Sequence, residues 1–203
     1  MSVSRALKPL RILVLTSAIS CVASPAQPTP LPPLPLVLTG QSQAVILGPH
    51  LARAYHGPVT TVAESGLSIA FWSAEDRLWR QLIPSLHQPL AALVFWQGES
   101  DCAGTSTAVP DYAARFGDLM SRIRREADAP SLPVLVVTVT PLAACANVRQ
   151  IQAEWTREDA HATLVAADEI PRVDFPADIH ITDAGAEVLA HRLVAAVTTI
   201  GDR

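Results

Sequence analysis

Two polar segments of the chain contain residue types that carry out hydrolysis, and each follows directly on an apolar run. Residues 91–95 lead into Trp96-Gln97-Gly98-Glu99-Ser100-Asp101, and residues 34–39 lead into Gly40-Gln41-Ser42-Gln43. A short apolar run is typical of a buried strand in a parallel sheet, and open α/β sheets place their chemistry at the carboxyl ends of such strands. We therefore expect a catalytic site where these two segments meet, with Ser42 as its nucleophile.

A serine nucleophile requires a base within hydrogen-bond reach, an acid that orients the base, and donors for the developing oxyanion. The late segment Asp178-Ile179-His180 offers His180 as the base and Asp178 as the acid. The backbone amides of Ser42 and Gly66 and the side chain of Gln97 are the candidate donors. Position 44 is alanine, so the Gly-x-Ser-x-Gly nucleophile elbow is missing, which argues against an α/β-hydrolase.

The elements that must bring these segments together alternate along the chain. Apolar runs predict strands at 34–39, 59–63, 91–95, 134–137 and 163–167, and amphipathic stretches predict helices that end near positions 55, 83, 127, 160 and 197. The Asp178-Ile179-His180 segment is expected in a loop, and Thr182 is expected to cap the last helix. This alternation predicts a three-layer α/β/α sandwich around a central parallel sheet of about five strands.

The first 36 residues are expected to precede the catalytic domain. Three basic residues within the first eleven positions are followed by a short apolar stretch over 12–19, which is the pattern of a secretory signal. We expect a signal peptide over 1–26, a proline-rich tether over 27–36 and the catalytic domain over 37–203. Cleavage after Ala26 would release a periplasmic protein. Lipidation of Cys21, in a sequence similar to a bacterial lipoprotein box, would instead anchor it to the membrane.

Charge and cysteine content limit the partners of the domain. The 203-residue chain has a formal charge of −4; without the three basic residues of the leader, 12 basic residues remain against 19 acidic ones, a charge of −7. Because nucleic acids are bound through lysine and arginine clusters, we expect no nucleic-acid partner. The sequence has no Cys-x-x-Cys spacing, and we expect no metal. Cys102 and Cys145 follow neighbouring predicted strands and are expected to form a disulfide, with two unpaired thiols as the alternative.

Four ordered segments resemble those of a known family: Gly40-Gln41-Ser42, Gly66-Leu67-Ser68-Ile69 with Trp72, the Gln97-Gly98-Glu99-Ser100-Asp101 block, and Asp178-Ile179-His180. They are similar to the sialate O-acetylesterase and acetylxylan-esterase branch of the SGNH (GDSL-like) hydrolases, over essentially all of the chain after the leader. The resemblance implies an SGNH-hydrolase, flavodoxin-like fold and removal of O-acetyl groups from carbohydrates without a cofactor. It implies that Ser42 attacks the acetyl carbonyl, that His180 acts as base and then as acid, and that Gly66 and Gln97 help to hold the oxyanion.

The sequence departs from the family pattern at two positions. These departures leave open which acid orients His180 and what role the residue after Ser42 has. The family usually has asparagine after the nucleophile, where this chain has Gln43, a candidate substrate contact. Many members have aspartate three residues before the histidine, where this chain has alanine at position 177. Asp178 is therefore the preferred acid, and Glu99 is its rival.

Several further side chains have both a functional and a structural interpretation. Glu99 and Asp101 are expected to be buried, hydrogen-bonded supports of the strand-end loop rather than direct participants. Trp72 is a candidate for stacking on a sugar ring, with a place in the core as the alternative. Arg149 is a candidate contact for an acidic substrate, and a helix-surface position is the alternative.

The sequence thus favours an exported serine esterase that removes acetyl groups from a carbohydrate. A catalytically weak carbohydrate-binding or cell-envelope protein on the same fold is the alternative, which Gln43 and the alanine at 177 keep open. A lipase or thioesterase of the same superfamily is a third hypothesis, although the chain offers no evident acyl-binding insertion.

Overall fold

A computed structural model describes residues 33–72, 77–105, 111–174 and 178–201. The predicted signal peptide with Cys21 and Ala26, most of the predicted tether, and position 177 lie outside the described residues. Within the described part of the chain, no helix is both long and apolar enough to cross a bilayer.

Seven strands and five α-helices make up the described chain. The strands are β1 (Leu36–Gly40), β2 (Val59–Ala63), β3 (Ala92–Trp96), β4 (Val134–Val137), β5 (Ala162–Val165), β6 (Arg172–Asp174) and β7 (Asp178–Ile181). The helices are α1 (Ser42–Ala54), α2 (Arg77–Leu86), α3 (Tyr112–Glu126), α4 (Ala146–Glu158) and α5 (Asp183–Gly201). Short 3₁₀ turns occur at Ile69–Trp72, Glu99–Asp101 and Ala143–Cys145.

Strands β1 to β5 form one parallel sheet in the order β2-β1-β3-β4-β5. Strand β2 lies on one side of β1 and β3 lies on the other, so the direction in which successive strands are added reverses between β1 and β3. Ligands of open α/β sheets bind outside the carboxyl ends of the strands at such a switch point. The register pairs Gly40 at the end of β1 with Trp96 at the end of β3, which brings the two predicted site segments side by side.

Alternating residues of the strands pack on opposite sides of this sheet. Val37, Leu93 and Phe95 belong to the core beneath α2, α3 and α4, whereas the intervening Leu38 and Val94 belong to the core beneath α1 and α5. Burial of one such side chain contributes about 1.5–3 kcal/mol to folding. Both faces of the central strands are therefore buried, which explains why they are apolar at nearly every position, with Thr39 of β1 as a buried polar exception, and confirms the predicted three-layer α/β/α sandwich.

Three local predictions are wrong. Gly48-Pro49 predicts a helix that starts at Pro49, but helix α1 begins at Ser42 and contains Pro49. Pro84 predicts the end of the next helix at Ile83, but helix α2 continues to Leu86. A proline removes one helical hydrogen bond, but an apolar helix face packed on a sheet can offset that loss. The segment around His180 is the strand β7, paired antiparallel with β6, and not a loop. The predicted cap of α5 is present, since the Gly185 amide donates to Thr182 Oγ1 at 3.1 Å.

Gly40 allows β1 and β3 to approach at their carboxyl ends. Its backbone φ is +153°, and a Cβ at this position would lie 1.9 Å from the carbonyl oxygen of Trp96. No real Cβ tolerates that distance, and the backbone conformation itself is one that glycine adopts without strain. The start of α1 therefore depends on a residue without a side chain.

We expect Gly40→Ala to lower the free energy of unfolding by at least about 3 kcal/mol, because the new methyl group overlaps backbone that cannot move without parting β1 from β3. Gly117→Ala is the matched control, since Gly117 lies in α3 with nothing within 4 Å of its Cβ position. That change should stabilise the protein by about 0.5–1 kcal/mol. Urea unfolding measures both, and equal stabilities for the two variants would contradict the assignment.

Candidate active site

Ser42 is the first residue of α1 and lies at the switch point of the sheet. The preceding Gln41 amide donates to the carbonyl of Trp96 at 3.1 Å, and the first helical bond runs from Val45 to the Gln41 carbonyl at 3.0 Å. The amides at the start of α1, including that of Ser42, consequently lack acceptors within the helix. The dipoles of these amides favour a negative charge near the start of the helix, where the Ser42 hydroxyl lies.

The Gln41 side chain, which the sequence analysis did not single out, ties Ser42 to the loop after β3. It is buried; its Nε2 donates to Glu99 Oε2 at 3.0 Å, and its Oε1 accepts from the Ser100 amide at 3.3 Å. In the sequence, its position in a polar segment at the end of a predicted strand is the feature that indicates a place in the site. Which residue it meets depends on the pairing of β1 with β3.

The Gln43 side chain ties Ser42 to the strand that carries His180. Gln43 Nε2 donates to the Ile179 carbonyl at 2.7 Å, and the Ile181 amide donates to Gln43 Oε1 at 3.2 Å. The residue has 0% exposed surface. The structure therefore corrects the expectation of a substrate contact at Gln43, because the side chain presents no surface to solvent and both ends of its amide contact backbone.

His180 and Asp178 form a local pair on β7. Asp178 Oδ1 accepts from the backbone amide of His180 and from its Nδ1, each at 2.8 Å. These hydrogen bonds hold the pKa of Asp178 below its usual range. Both side chains are about 40% exposed. With Nδ1 directed to the carboxylate, the other ring nitrogen, Nε2, is left to exchange a proton with a nucleophile.

No hydrogen bond between Ser42 and His180 occurs among the residues that the structure describes. Catalytic hydrogen bonds are often long without substrate and shorten only in the reacting complex. The structure thus places Ser42 and the His180–Asp178 pair on adjacent elements, joined through Gln43.

The rival acid, Glu99, has other partners. Its Oε2 accepts from Gln41, and its Oε1 accepts from the Thr140 amide at 3.2 Å and from the Thr140 hydroxyl at 3.3 Å. The residue is 5% exposed, and this burial raises the pKa of its carboxyl, while the hydrogen bonds and the charge of Arg172 oppose that rise. These contacts match the expected role as a buried support between the ends of β1, β3 and β4.

Asp101 and Gln97 hold the loop that follows β2. Asp101 Oδ2 accepts from the Ile69 amide at 2.9 Å and from Gln97 Nε2, and Gln97 Nε2 also donates to the Leu67 carbonyl at 3.4 Å. Both amide hydrogens of Gln97 thus have acceptors, and its side chain is fully buried. For Gln97 to donate to an oxyanion, it would first have to leave Asp101 or the Leu67 carbonyl.

Gly66, the other candidate oxyanion donor, lies in an open turn of the same loop. Its φ is +77°, and nothing lies within 4 Å of a Cβ built on it. Gly66 is exposed to solvent, in contrast to the enclosed side chain of Gln97.

The two other candidate substrate contacts are largely structural. Trp72 is 2% exposed and packs in the core beneath α2 and α3, so stacking of Trp72 on a sugar is ruled out in this conformation. Its neighbour Phe71 is 42% exposed and is the aromatic side chain that this loop offers to solvent. Arg149 donates to the Val139 carbonyl and forms an ion pair with Asp168 at 2.6 Å, which joins the loops after β4 and β5.

The loops after β3 and β4 are joined covalently. Cys102 follows the Glu99–Asp101 turn, Cys145 precedes α4, and the two form the expected disulfide. The described residues contain no group of three or more His, Cys, Asp or Glu side chains arranged to hold a metal ion.

Comparisons with known proteins find a family model and several solved structures that match the chain. A family model described as SASA, "Carbohydrate esterase, sialic acid-specific acetylesterase", matches residues 39–199. A comparison with curated proteins finds no match.

Solved structures share the fold. A protein from Arabidopsis thaliana matches with a TM-score of 0.62 at 19% identity over 75% of this chain, and a carbohydrate acetylesterase from Xanthomonas citri with 0.60 at 20% over 78%. A family two carbohydrate esterase from Clostridium thermocellum, in complex with cellohexaose, matches with 0.64 at 15% over 86%. The alignments cover 66%, 40% and 66% of those three chains, so this chain corresponds to part of each.

The buried carboxyl of Asp101 predicts a pH-dependent stability. Burial raises its pKa, so the folded protein binds the proton more tightly than the unfolded chain does. The stability from this proton is complete below the unfolded pKa of about 3.9 and is lost as pH rises through the higher folded pKa. Because the variant side chain stays neutral, we expect Asp101→Asn to become more stable relative to wild type as the pH rises through the folded-state pKa of Asp101.

Urea unfolding at several pH values between 4 and 8 measures the difference between Asp101→Asn and wild type. Asp118→Asn, at an exposed position of α3, corrects for the general effect of removing one negative charge. A difference that stays constant across this range after the correction would refute the prediction.

Proposed function

Because the chain belongs to the sialic acid-specific acetylesterase family of carbohydrate esterases, we propose that it is a serine esterase that removes O-acetyl groups from carbohydrates. Ser42 is the nucleophile, His180 the general base and acid, and Asp178 the residue that orients His180. The observation that supports this most is the pair of Gln43 hydrogen bonds, which join the residue next to Ser42 to the strand that carries His180 and Asp178.

The reaction proceeds through an acetyl-enzyme. Ser42 Oγ attacks the acetyl carbonyl carbon while its proton passes to His180 Nε2, and the tetrahedral intermediate carries one negative oxygen. The intermediate collapses when His180 returns the proton to the departing sugar hydroxyl. Water then attacks the acetyl group with His180 again as base, and the release of acetate regenerates Ser42.

The oxyanion is stabilised by backbone amides. The Ser42 amide lies at the start of α1, and Gly66 is an exposed turn residue, so we assign these two amides as the donors to the oxyanion. Gln97 has a supporting role. Its side chain donates to the Leu67 carbonyl and to Asp101, and these bonds hold the loop that contains Gly66.

The roles of the two carboxylates differ in kind. Asp178 is within hydrogen-bond distance of His180 Nδ1, so it can orient the ring and stabilise a transient imidazolium although its side chain is partly solvated. Glu99 is enclosed and contacts Gln41 and Thr140. Removal of Asp178 should therefore act on proton transfer, whereas removal of Glu99 should act on the geometry of the strand-end loop.

The experiment that tests the function compares hydrolysis of p-nitrophenyl acetate, butyrate and octanoate, together with acetate release from acetylated xylan and O-acetylated sialic acid. We expect preference for acetate and loss of turnover in Ser42→Ala to the background rate. A preference for octanoate would favour the lipase or thioesterase hypothesis. An absence of turnover above Ser42→Ala would favour the weakly catalytic carbohydrate-binding protein.

Two isosteric variants distinguish the candidate acids in the same assays. Asp178→Asn should lower kcat on the order of 10²- to 10⁴-fold, because His180 loses the charge that favours its protonated form. Glu99→Gln keeps the volume of a side chain that does not contact His180, and it should cost less. A larger loss in Glu99→Gln than in Asp178→Asn would reverse the assignment.

We also propose that the protein is exported. The Cys102–Cys145 disulfide supports an oxidising compartment, in which such bonds form and persist. The intact mass of protein recovered from a bacterial host should show a chain that begins at position 27, or one lipidated at Cys21. An unprocessed chain that begins at Met1 would overturn the proposal.

A further inference from the structure

The Gln43 side chain meets the backbone on both sides of His180, and we propose that Gln43 is a positioning residue that sets where His180 lies relative to Ser42. Its amide group bonds to the Ile179 carbonyl and to the Ile181 amide. This role rests on the proposed function, because it assigns His180 as the base that acts on Ser42. It replaces the expectation that Gln43 contacts substrate.

The two bonds fit the edge of β7. Ile179 and Ile181 flank His180, and in a strand the carbonyl of one and the amide of the other point to the same side. The Gln43 amide supplies a donor and an acceptor toward that side, as a residue of a neighbouring strand would. Strand β6 pairs with one edge of β7, Gln43 bonds to the other edge, and Ile181 packs in the core beneath α1 and α5.

The base depends on such a link because its strand lies apart from the main sheet. Ser42 is fixed by the ends of β1 and β3, whereas β6 and β7 form a separate two-stranded sheet. Gln43 directly follows Ser42, and its two hydrogen bonds reach residues that lie 136 and 138 positions later in the chain. A shift of the Gln43 contact would therefore change the separation of Ser42 and His180 directly.

Glutamine suits this position because the contact needs a donor and an acceptor on one buried group. A leucine would fill the space and leave the Ile179 carbonyl and the Ile181 amide without partners. A protonated glutamic acid would satisfy both, since its hydroxyl donates and its carbonyl oxygen accepts. An ionised carboxylate would satisfy the Ile181 amide and repel the Ile179 carbonyl.

The two hydrogen bonds from Gln43 to Ile179 and Ile181, here called the clamp, are independent of the His180–Asp178 pair. Both bonds from His180 to Asp178 lie within β7 and do not involve Gln43. Loss of the clamp should therefore leave the protonation behaviour of the pair intact while it displaces the pair from Ser42. We therefore expect loss of the clamp to lower kcat without a change in the pH dependence, a combination that general destabilisation does not produce.

The first test compares Gln43→Leu with wild type on p-nitrophenyl acetate. We expect kcat to fall on the order of 10- to 100-fold, since a misplacement of about 1 Å between reacting groups costs this much. KM and the pH at which kcat/KM falls should stay unchanged, whereas Asp178→Asn should move that pH. Ile123→Ala, in the core beneath α3, is the control for lost stability and should keep the wild-type kcat where it is folded.

Hydrogen exchange at the Ile181 amide tests the contact without any substrate. After correction for intrinsic rates, this amide should be protected in wild type and unprotected in Gln43→Leu. Gln43→Glu should retain the protection, because a carboxyl oxygen accepts from the Ile181 amide whether or not the group is protonated. Protection that is equal in all three proteins would overturn the proposal.

The outcomes separate this proposal from the proposed function. A Gln43→Leu kcat within twofold of wild type, or a fall matched by Ile123→Ala, overturns the positioning role. If wild type hydrolyses no ester, the proposed function fails, and labelling of Ser42 by a fluorophosphonate then decides the role of Gln43. Slower labelling in Gln43→Leu than in Ile123→Ala supports it, and equal labelling overturns it.

Discussion

The contact between the carboxyl ends of β1 and β3 is the constraint on which the rest of the site depends. Gly40 has no side chain, so its backbone can lie against the carbonyl of Trp96, and Gln41 then donates to that carbonyl. This closes β1 onto β3 at the topological switch of the sheet and starts α1 one residue later. Ser42 receives its position from backbone packing, and not from contacts of its own side chain.

Around this contact the protein buries an unusual set of polar groups. Gln41, Gln97, Glu99 and Asp101 all lie within the core at the strand ends, and burial raises the pKa of both carboxyls. A buried carboxylate destabilises a fold unless hydrogen bonds offset the lost hydration. Here the bonds run to the loops after β2, β3 and β4, so the same groups that reduce stability hold those loops at defined distances. The disulfide between Cys102 and Cys145 fixes two of them further.

The proposed nucleophile and the proposed base therefore belong to different parts of the fold. Ser42 is built into the central sheet, whereas His180 and Asp178 form a self-contained pair on a small antiparallel ribbon. Gln41 and Gln43, on either side of Ser42, reach in two directions. Gln41 contacts the loop after β3, and Gln43 contacts the strand of the proposed base. The Gln-Ser-Gln sequence thus acts as a junction between the two halves of the proposed catalytic machinery.

The sequence alone determined the layers, the five parallel strands and the pairing of the two cysteines, because each follows from local hydrophobic patterning and from the chain order of neighbouring strands. By the same reasoning it predicts a site at the carboxyl ends of the strands. It could not determine the partners of buried amides and carboxyls. Gln43, Trp72 and Arg149 each have a side chain that suits substrate as well as structure, and only their burial and contacts in the folded protein favour structure. Strand β7 was missed for the same reason: its pairing with β6 and its bonds to Gln43 are long-range contacts, which a period-two pattern of three or four residues does not encode.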